Sequence, residues 1–166
     1  MGDDASYVDF VSGRWPALFR LAYLLTGSQE RAEDLLQSVL MKAYASWGRI
    51  HRMESPDAYV RRMLVNGAIS AGRRGWRREH PTGRVPDTPV GGHEQQYVDR
   101  DALWSIVQGL PPRQRAVVVL RYYEDLSESE IARVLDCSAG TVKSQASDAL
   151  RSLRRTLVTT PEGGDA

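Results

Sequence analysis

The segment from Leu110 to Gln145 constrains this chain more than any other. It holds apolar residues at helical spacing in three stretches, separated by short polar breaks. Ser127, with Glu130 three residues on, forms a capping box that opens a helix carrying Ile131, Val134 and Leu135 on one face. That helix stops at Asp136-Cys137, where a short polar residue tolerates a tight turn. Ser138 is placed as N-cap of the next helix, whose Val142, Ala146, Ala149, Leu150 and Leu153 turn inward. Lys143, Ser144, Ser147, Asp148 and Arg151 remain outside, as short polar or cationic groups that reach phosphates and base edges. The layout is that of a helix-turn-helix, whose last helix enters the major groove of DNA. A plain helical hairpin with a solvated face has the same periodicity, so this stretch alone leaves both readings open.

The remainder is helical as well, and Val117-Val118-Val119 is too short and too embedded in helical pattern to be a strand. Tyr7, Phe10, Val11, Trp15, Leu18, Leu21, Ala22 and Leu25 mark a first core-facing helix, with Pro16 expected to kink or restart it. Gly27 ends that helix and Ser28 caps a second, running to about Trp47 and burying Ala32, Leu35, Leu36, Val39, Leu40, Ala43 and Trp47. Ser55-Pro56 starts a third, with Val60, Met63, Leu64, Ala68 and Ala71 inward. From Glu79 prolines and glycines crowd too closely for any regular element. The expected fold is therefore all-α: a three-helix lobe at 7–78, a flexible linker at 79–98, and a second helical lobe at 99–158 that contains the helix-turn-helix.

The third helix has a polar stripe of its own. Tyr59, Arg62, Asn66, Ser70 and Arg73 recur at three- and four-residue steps, with Met63 at the edge and Arg74, Trp76, Arg77 and Arg78 beyond. Arginines track phosphates, and a ring or guanidinium plane offers a stacking surface to an unpaired base. Asn is donor and acceptor at once and matches an exposed base edge. That chemistry suits single-stranded or opened DNA better than intact duplex. Trp76 as a core anchor and the arginines as a solvated face remain the plainer alternative. The net charge of +1 hides this concentration of arginine, which points to a directed contact with a polyanion.

Several classes are disfavoured. One cysteine, Cys137, allows no intramolecular disulfide and no cysteine cluster, and His51, His80 and His93 are far apart, so no metal or other cofactor is expected. There is no Gly-rich phosphate loop and no nucleophile elbow, so no catalytic residue is assigned and an enzyme is not expected. No apolar run reaches membrane length, and the acidic start is the opposite of a signal peptide, which makes a cytoplasmic protein the expectation.

Arg14-Trp-Pro-Ala-Leu, Ala22-Tyr-Leu-Leu-Thr-Gly, Ala32-Glu-Asp-Leu-Leu-Gln, Tyr59-Val-Arg-Arg-Met-Leu-Val-Asn and nearly all of Leu110 to Gln145 occur in this order. In these strings the chain resembles the extracytoplasmic-function (ECF) sigma factors, promoter-specificity subunits of bacterial RNA polymerase. More narrowly, it is similar to their short actinobacterial SigE-like group. The resemblance implies a sigma-2 domain followed by a sigma-4 domain. It implies that Asp34, Leu35 and Gln37 grip core polymerase, at its beta-prime clamp, and that the second lobe meets the beta flap. It places Arg62, Met63, Asn66, Arg73, Arg74, Trp76 and Arg77 at the melted minus-ten element of promoter DNA. Arg121, Lys143, Ser144, Ser147, Asp148 and Arg151 fall at the minus-thirty-five duplex, and an anti-sigma factor is a further partner such a protein can have. Three departures stand out. Ser38 replaces a usual carboxylate, Asp148 replaces a frequent base, and Gly67 and Gly72 each weaken the third helix by about 1 kcal/mol relative to alanine. A stand-alone duplex-binding regulator and a sigma-like protein that only sequesters a partner are the rival readings.

Overall fold

The computed structural model describes residues 2–79 and 98–159, and every regular element among them is a helix. Helix α1 (Gly2–Thr26) opens with Asp3 and Asp4, whose charges suit the positive end of a helix dipole. Pro16 lies inside α1, which continues through it without restarting. Both Pro16 and Ser12, four residues earlier, are exposed, so the carbonyl that the ring deprives of a partner faces water. Gly27, at φ +77°, closes α1 in the left-handed region that favours glycine. Ser28 then caps α2 (Gln29–Ala45) by accepting from the Arg31 N–H at 3.1 Å. Trp47 does not extend α2 but sits in a separate single turn, α3 (Trp47–Ile50). Ser55 caps α4 (Pro56–Glu79), its hydroxyl oxygen accepting from the Ala58 N–H at 3.2 Å.

In the second lobe α5 spans Val98–Gln108 and α6 spans Pro112–Tyr122, with proline at the first helical position where its missing N–H costs nothing. The capping box at α7 (Glu128–Leu135) is complete: the Ser127 hydroxyl accepts from the Glu130 N–H, and the Glu130 carboxylate accepts from the Ser127 N–H at 2.7 Å. Asp136 takes the left-handed conformation, φ 52°, at the break. Ser138 caps α8 (Ala139–Thr159) by accepting from the Thr141 N–H at 3.1 Å.

Packing corrects the expected inward faces. Trp15 is exposed and stacks only on Phe19, and Ala71 is exposed too, whereas Val65 and Ile69 are buried. The reason is that α4 is packed on two sides. It lies against α1 and α2 with one face, and against α6 and α7 with the other. Val65, Ile69 and Gly72 follow one another at four- and three-residue steps, and a Cβ at Gly72 would come within 2.9 Å of the Pro112 ring. One apolar cluster joins the lobes, running from Leu21, Leu36 and Leu64 through Val117 and Leu120 to Ile131 and Val142, and a smaller one of Val107, Leu110, Val118, Ala149 and Leu153 lies within the second lobe. Helix α6 is the centre of this arrangement, with α1 and α4 on one side and α8 on the other. It therefore buries Val117, Val118 and Val119 in succession, as a helix does when it is covered all round. Of the expected linker at 79–98, Glu79 and Val98 belong to α4 and α5, and the rest lies outside the described residues.

Ser127→Ala removes one side-chain acceptor and breaks the capping box. It is expected to cost about 1 kcal/mol, a drop of roughly 2–4 °C in melting temperature that calorimetry would register. Accepting the Ser127 backbone N–H holds the Glu130 carboxyl below its ordinary value of 4.5. Stability from this group is therefore present above pH 4.5 and is lost as pH falls through the lowered folded value. Glu130→Gln should flatten that part of the acid-unfolding curve and leave neutral pH dependence unchanged.

Candidate nucleic-acid interface

Two surfaces carry the candidate residues. The first is the outer face of α8, where Lys143, Ser144, Ser147, Asp148 and Arg151 are all exposed. Together with Arg121, at the end of α6, several of them line a shallow depression of about 650 Å³, which Arg154 and Arg155 extend. Glu128, at the start of α7, ties this surface together. One carboxylate oxygen accepts from Arg121 Nη1 at 3.0 Å, and the other lies 3.8 Å from Lys143 Nζ. Arg121 also sits 5.8 Å over the Tyr122 ring. Asp148 faces Arg151 at 3.5 Å, within its own helix. Ion pairs this exposed add little to stability, a median of about 0–1 kcal/mol, so their main effect is to orient the cations. The sequence offers no local signal for the role of Glu128, because Arg121 and Lys143 reach it across two different turns.

The second surface is a cleft of about 1400 Å³ between the lobes. Tyr59, Arg62, Met63, Asn66 and Ser70 of the α4 stripe line it, with Arg74 and Trp76 further along. Asp34, Leu35 and Ser38 line it from α2. Gln37, Arg73 and Arg77 are exposed but lie outside its lining. Tyr59 is fixed from behind: its hydroxyl accepts from Arg49 Nη2 at 3.1 Å, and the guanidinium lies 5.6 Å from the ring centre. Gly67 has a reason here, since a Cβ would come within 2.9 Å of Leu35 Cδ1. The glycine lets α2 and α4 approach beneath the stripe.

Across the cleft stand Gln108 and Arg115, which sequence reasoning did not single out. Arg115 donates to the carbonyl oxygens of Leu25 at 3.0 Å, Gln108 at 2.7 Å and Leu110 at 3.1 Å. Gln108 Nε2 donates to the Leu24 carbonyl at 2.9 Å. Tyr23 stacks on Trp104 with centroids 5.4 Å apart and planes 7° from parallel. Arg31, Lys42, Arg62, Arg74 and Arg115 against Asp34 alone make the cleft electropositive. Among the described residues no group of His, Cys, Asp or Glu is placed to hold a metal ion, and no helix is long and apolar enough to cross a membrane.

Residues 13–78 match the Sigma-70 region 2 family, and residues 100–153 match Sigma-70, region 4. The RNA polymerase sigma-E factor of Streptomyces coelicolor is 39% identical over 158 residues, which cover 95% of this chain and 89% of that protein. The ECF RNA polymerase sigma factor SigM of Mycobacterium tuberculosis is 32% identical over 141 residues, 84% of this chain and 71% of that one. Among solved structures, the sigma factor RpoE of Bartonella quintana, crystallised with the anti-sigma factor NepR, superposes with a TM-score of 0.67 at 26% identity. That match covers 94% of this chain and 99% of the other. With a region 2 lobe, a region 4 helix-turn-helix lobe and relatives that align along almost the whole length, the chain belongs to the ECF sigma factors of RNA polymerase, in their SigE-like group.

Proposed function

We propose that this sigma factor works without catalysing a reaction itself, in the cytoplasm, by holding core RNA polymerase and two promoter elements at once. The first lobe, 7–78, takes the beta-prime clamp through Asp34, Leu35 and Gln37. It takes the opened minus-ten strand through Arg62, Met63, Asn66, Arg73, Arg74, Trp76 and Arg77. The second lobe, 99–158, takes the beta flap and the minus-thirty-five duplex, the latter through Arg121, Lys143, Ser144, Ser147, Asp148 and Arg151. Residues 79–98 tether the two. An anti-sigma factor, such as the one bound to the Bartonella relative, is the natural antagonist.

The observation that carries this reading is the division of chemistry between the lobes. A stripe with a bidirectional amide at Asn66 lies on α4, and a solvent-facing set of cations and short polar groups lies on α8. The former fits a base taken out of the stack, the latter a major groove. Neither surface need bind tightly alone, because tethering to one enzyme gives the second contact a high effective concentration.

Run-off transcription from genomic DNA with and without the protein tests the reading; discrete new transcripts sharing upstream sequence are expected. Asn66→Ala should leave core binding intact and lower open-complex formation about tenfold, the scale of one lost base contact. Permanganate footprinting of promoter thymines reads this out, and normal reactivity would remove the assignment. Lys143→Ala should reduce the slope of log affinity against log salt for minus-thirty-five duplex by about one. Glu128→Gln, which frees Arg121 and Lys143, should raise it.

A further inference from the structure

We propose that Asp148 reads a base: its carboxylate accepts from the exocyclic amine of a cytosine in the minus-thirty-five duplex, which makes one position of that element a cytosine. The inference rests on the functional reading above, in which the outer face of α8 meets the duplex.

Helix α8 aims Asp148 at its partner. Val142, Ala146, Ala149 and Leu153 are buried and fix the inner face. At roughly 3.6 residues per turn, Ser144, Asp148 and Arg151 fall opposite them, and all three are exposed. An aspartate is short, so it reaches a base edge only where the helix backbone comes close. Its neighbours allow that approach: Ala139, Gly140, Ser144 and Ser147 are exposed and carry nothing longer than a hydroxymethyl group. From Ser144 to Asp148 the axis rises about 6 Å, which fits inside a major groove about 12 Å wide. Arg151 stands about 4.5 Å further along, towards the rim of the groove.

The chemistry selects one base. An ionised carboxylate is an acceptor only and gains nothing from phosphate. In the groove it needs a donor, and the two on offer are the amines of cytosine and adenine. Adenine's amine lies between two acceptors, its own N7 and the O4 of thymine, and both repel a carboxylate. Cytosine's amine has an acceptor on one side only, the O6 of its guanine. Of the two acids beside the α8 cations, Glu128 is taken by Arg121 at 3.0 Å and Lys143 at 3.8 Å. Asp148 is half exposed and meets Arg151 through one oxygen, at 3.5 Å. Its second oxygen has no protein partner among the described residues and is left for a base. A solvated ion pair with no part in recognition differs in its consequence: it gives repulsion from every duplex, where base reading gives preference for one.

The test uses holoenzyme reconstituted from bacterial core polymerase and the full-length protein, which selects promoters from a pool randomised across the minus-thirty-five element. Wild type should enrich cytosine at one position about tenfold over the other bases. Asp148→Ala should lose that preference and keep the rest of the element. Asp148→Asn, whose amide pairs with adenine N6 and N7, should move the preference to adenine. On the selected promoter, that cytosine is then replaced by pyrimidinone, which lacks the exocyclic amine. Wild-type binding should weaken about tenfold, and Asp148→Ala binding by less than about twofold. An unchanged preference in Asp148→Ala overturns the assignment. So does a gain in its affinity for all sequences alike, the mark of simple repulsion from phosphate, or equal sensitivity of both proteins to pyrimidinone. If wild-type holoenzyme enriches no sequence over core polymerase alone, the sigma reading fails, and this assignment with it.

Discussion

The structure depends on how the carboxyl end of α1 is satisfied. Thr26 returns its hydroxyl to the Ala22 carbonyl at 2.8 Å, and the Gly27 N–H reaches Tyr23 at 2.8 Å, but Leu24 and Leu25 are left to residues some ninety positions away. The bond from the charged Arg115 is worth roughly 1.5–3 kcal/mol net and the neutral one from Gln108 about 1 kcal/mol, because water competes for the same groups when they separate. That magnitude adds to the apolar burial that joins the two lobes along this seam.

Helix α4 shows the same balance in its own sequence. Two internal glycines cost it about 1 kcal/mol each in intrinsic propensity. Gly67 admits Leu35, and Gly72 admits Pro112, so one glycine serves the packing of the first lobe and the other the seam. A helix that would be marginal alone is ordered by neighbours on two sides, while its third, polar side remains in the cleft. The residues proposed for the opened strand thus stand on a helix whose order depends on packing against both lobes.

Most of the local architecture was legible in the sequence, because it is written in residues only a few positions apart. Ser28, Ser55, Ser127 and Ser138 cap the helices they precede, and Asp136 makes its turn as a short polar residue can. The two polar faces emerge from the same periodicity. What periodicity cannot show is a second packing partner. Val65 and Ile69 fall outside the single inward stripe that periodicity gives α4, and Ala71 falls inside it, because one stripe takes no account of a second partner. The three consecutive valines of α6 are the sign in the sequence of a helix covered all round. Arg115 and Gln108 were invisible for a related reason: an arginine that caps a distant helix has the same local pattern as one in water.

Electrostatics complete the account of why such a chain is nearly neutral. On the α8 face Glu128 and Asp148 hold carboxylates beside Arg121, Lys143 and Arg151, which restrains indiscriminate attraction to phosphate. In the cleft the positive charge is denser, with Arg31, Lys42, Arg62 and Arg74 around Asp34. One surface is thus moderated by paired charge, and the other much less so. A protein that bound DNA strongly by either surface alone would be held across the genome at non-specific sites, because that background scales with unpaired cations. In the proposed function, weak faces place selectivity in the simultaneous engagement of polymerase and both elements.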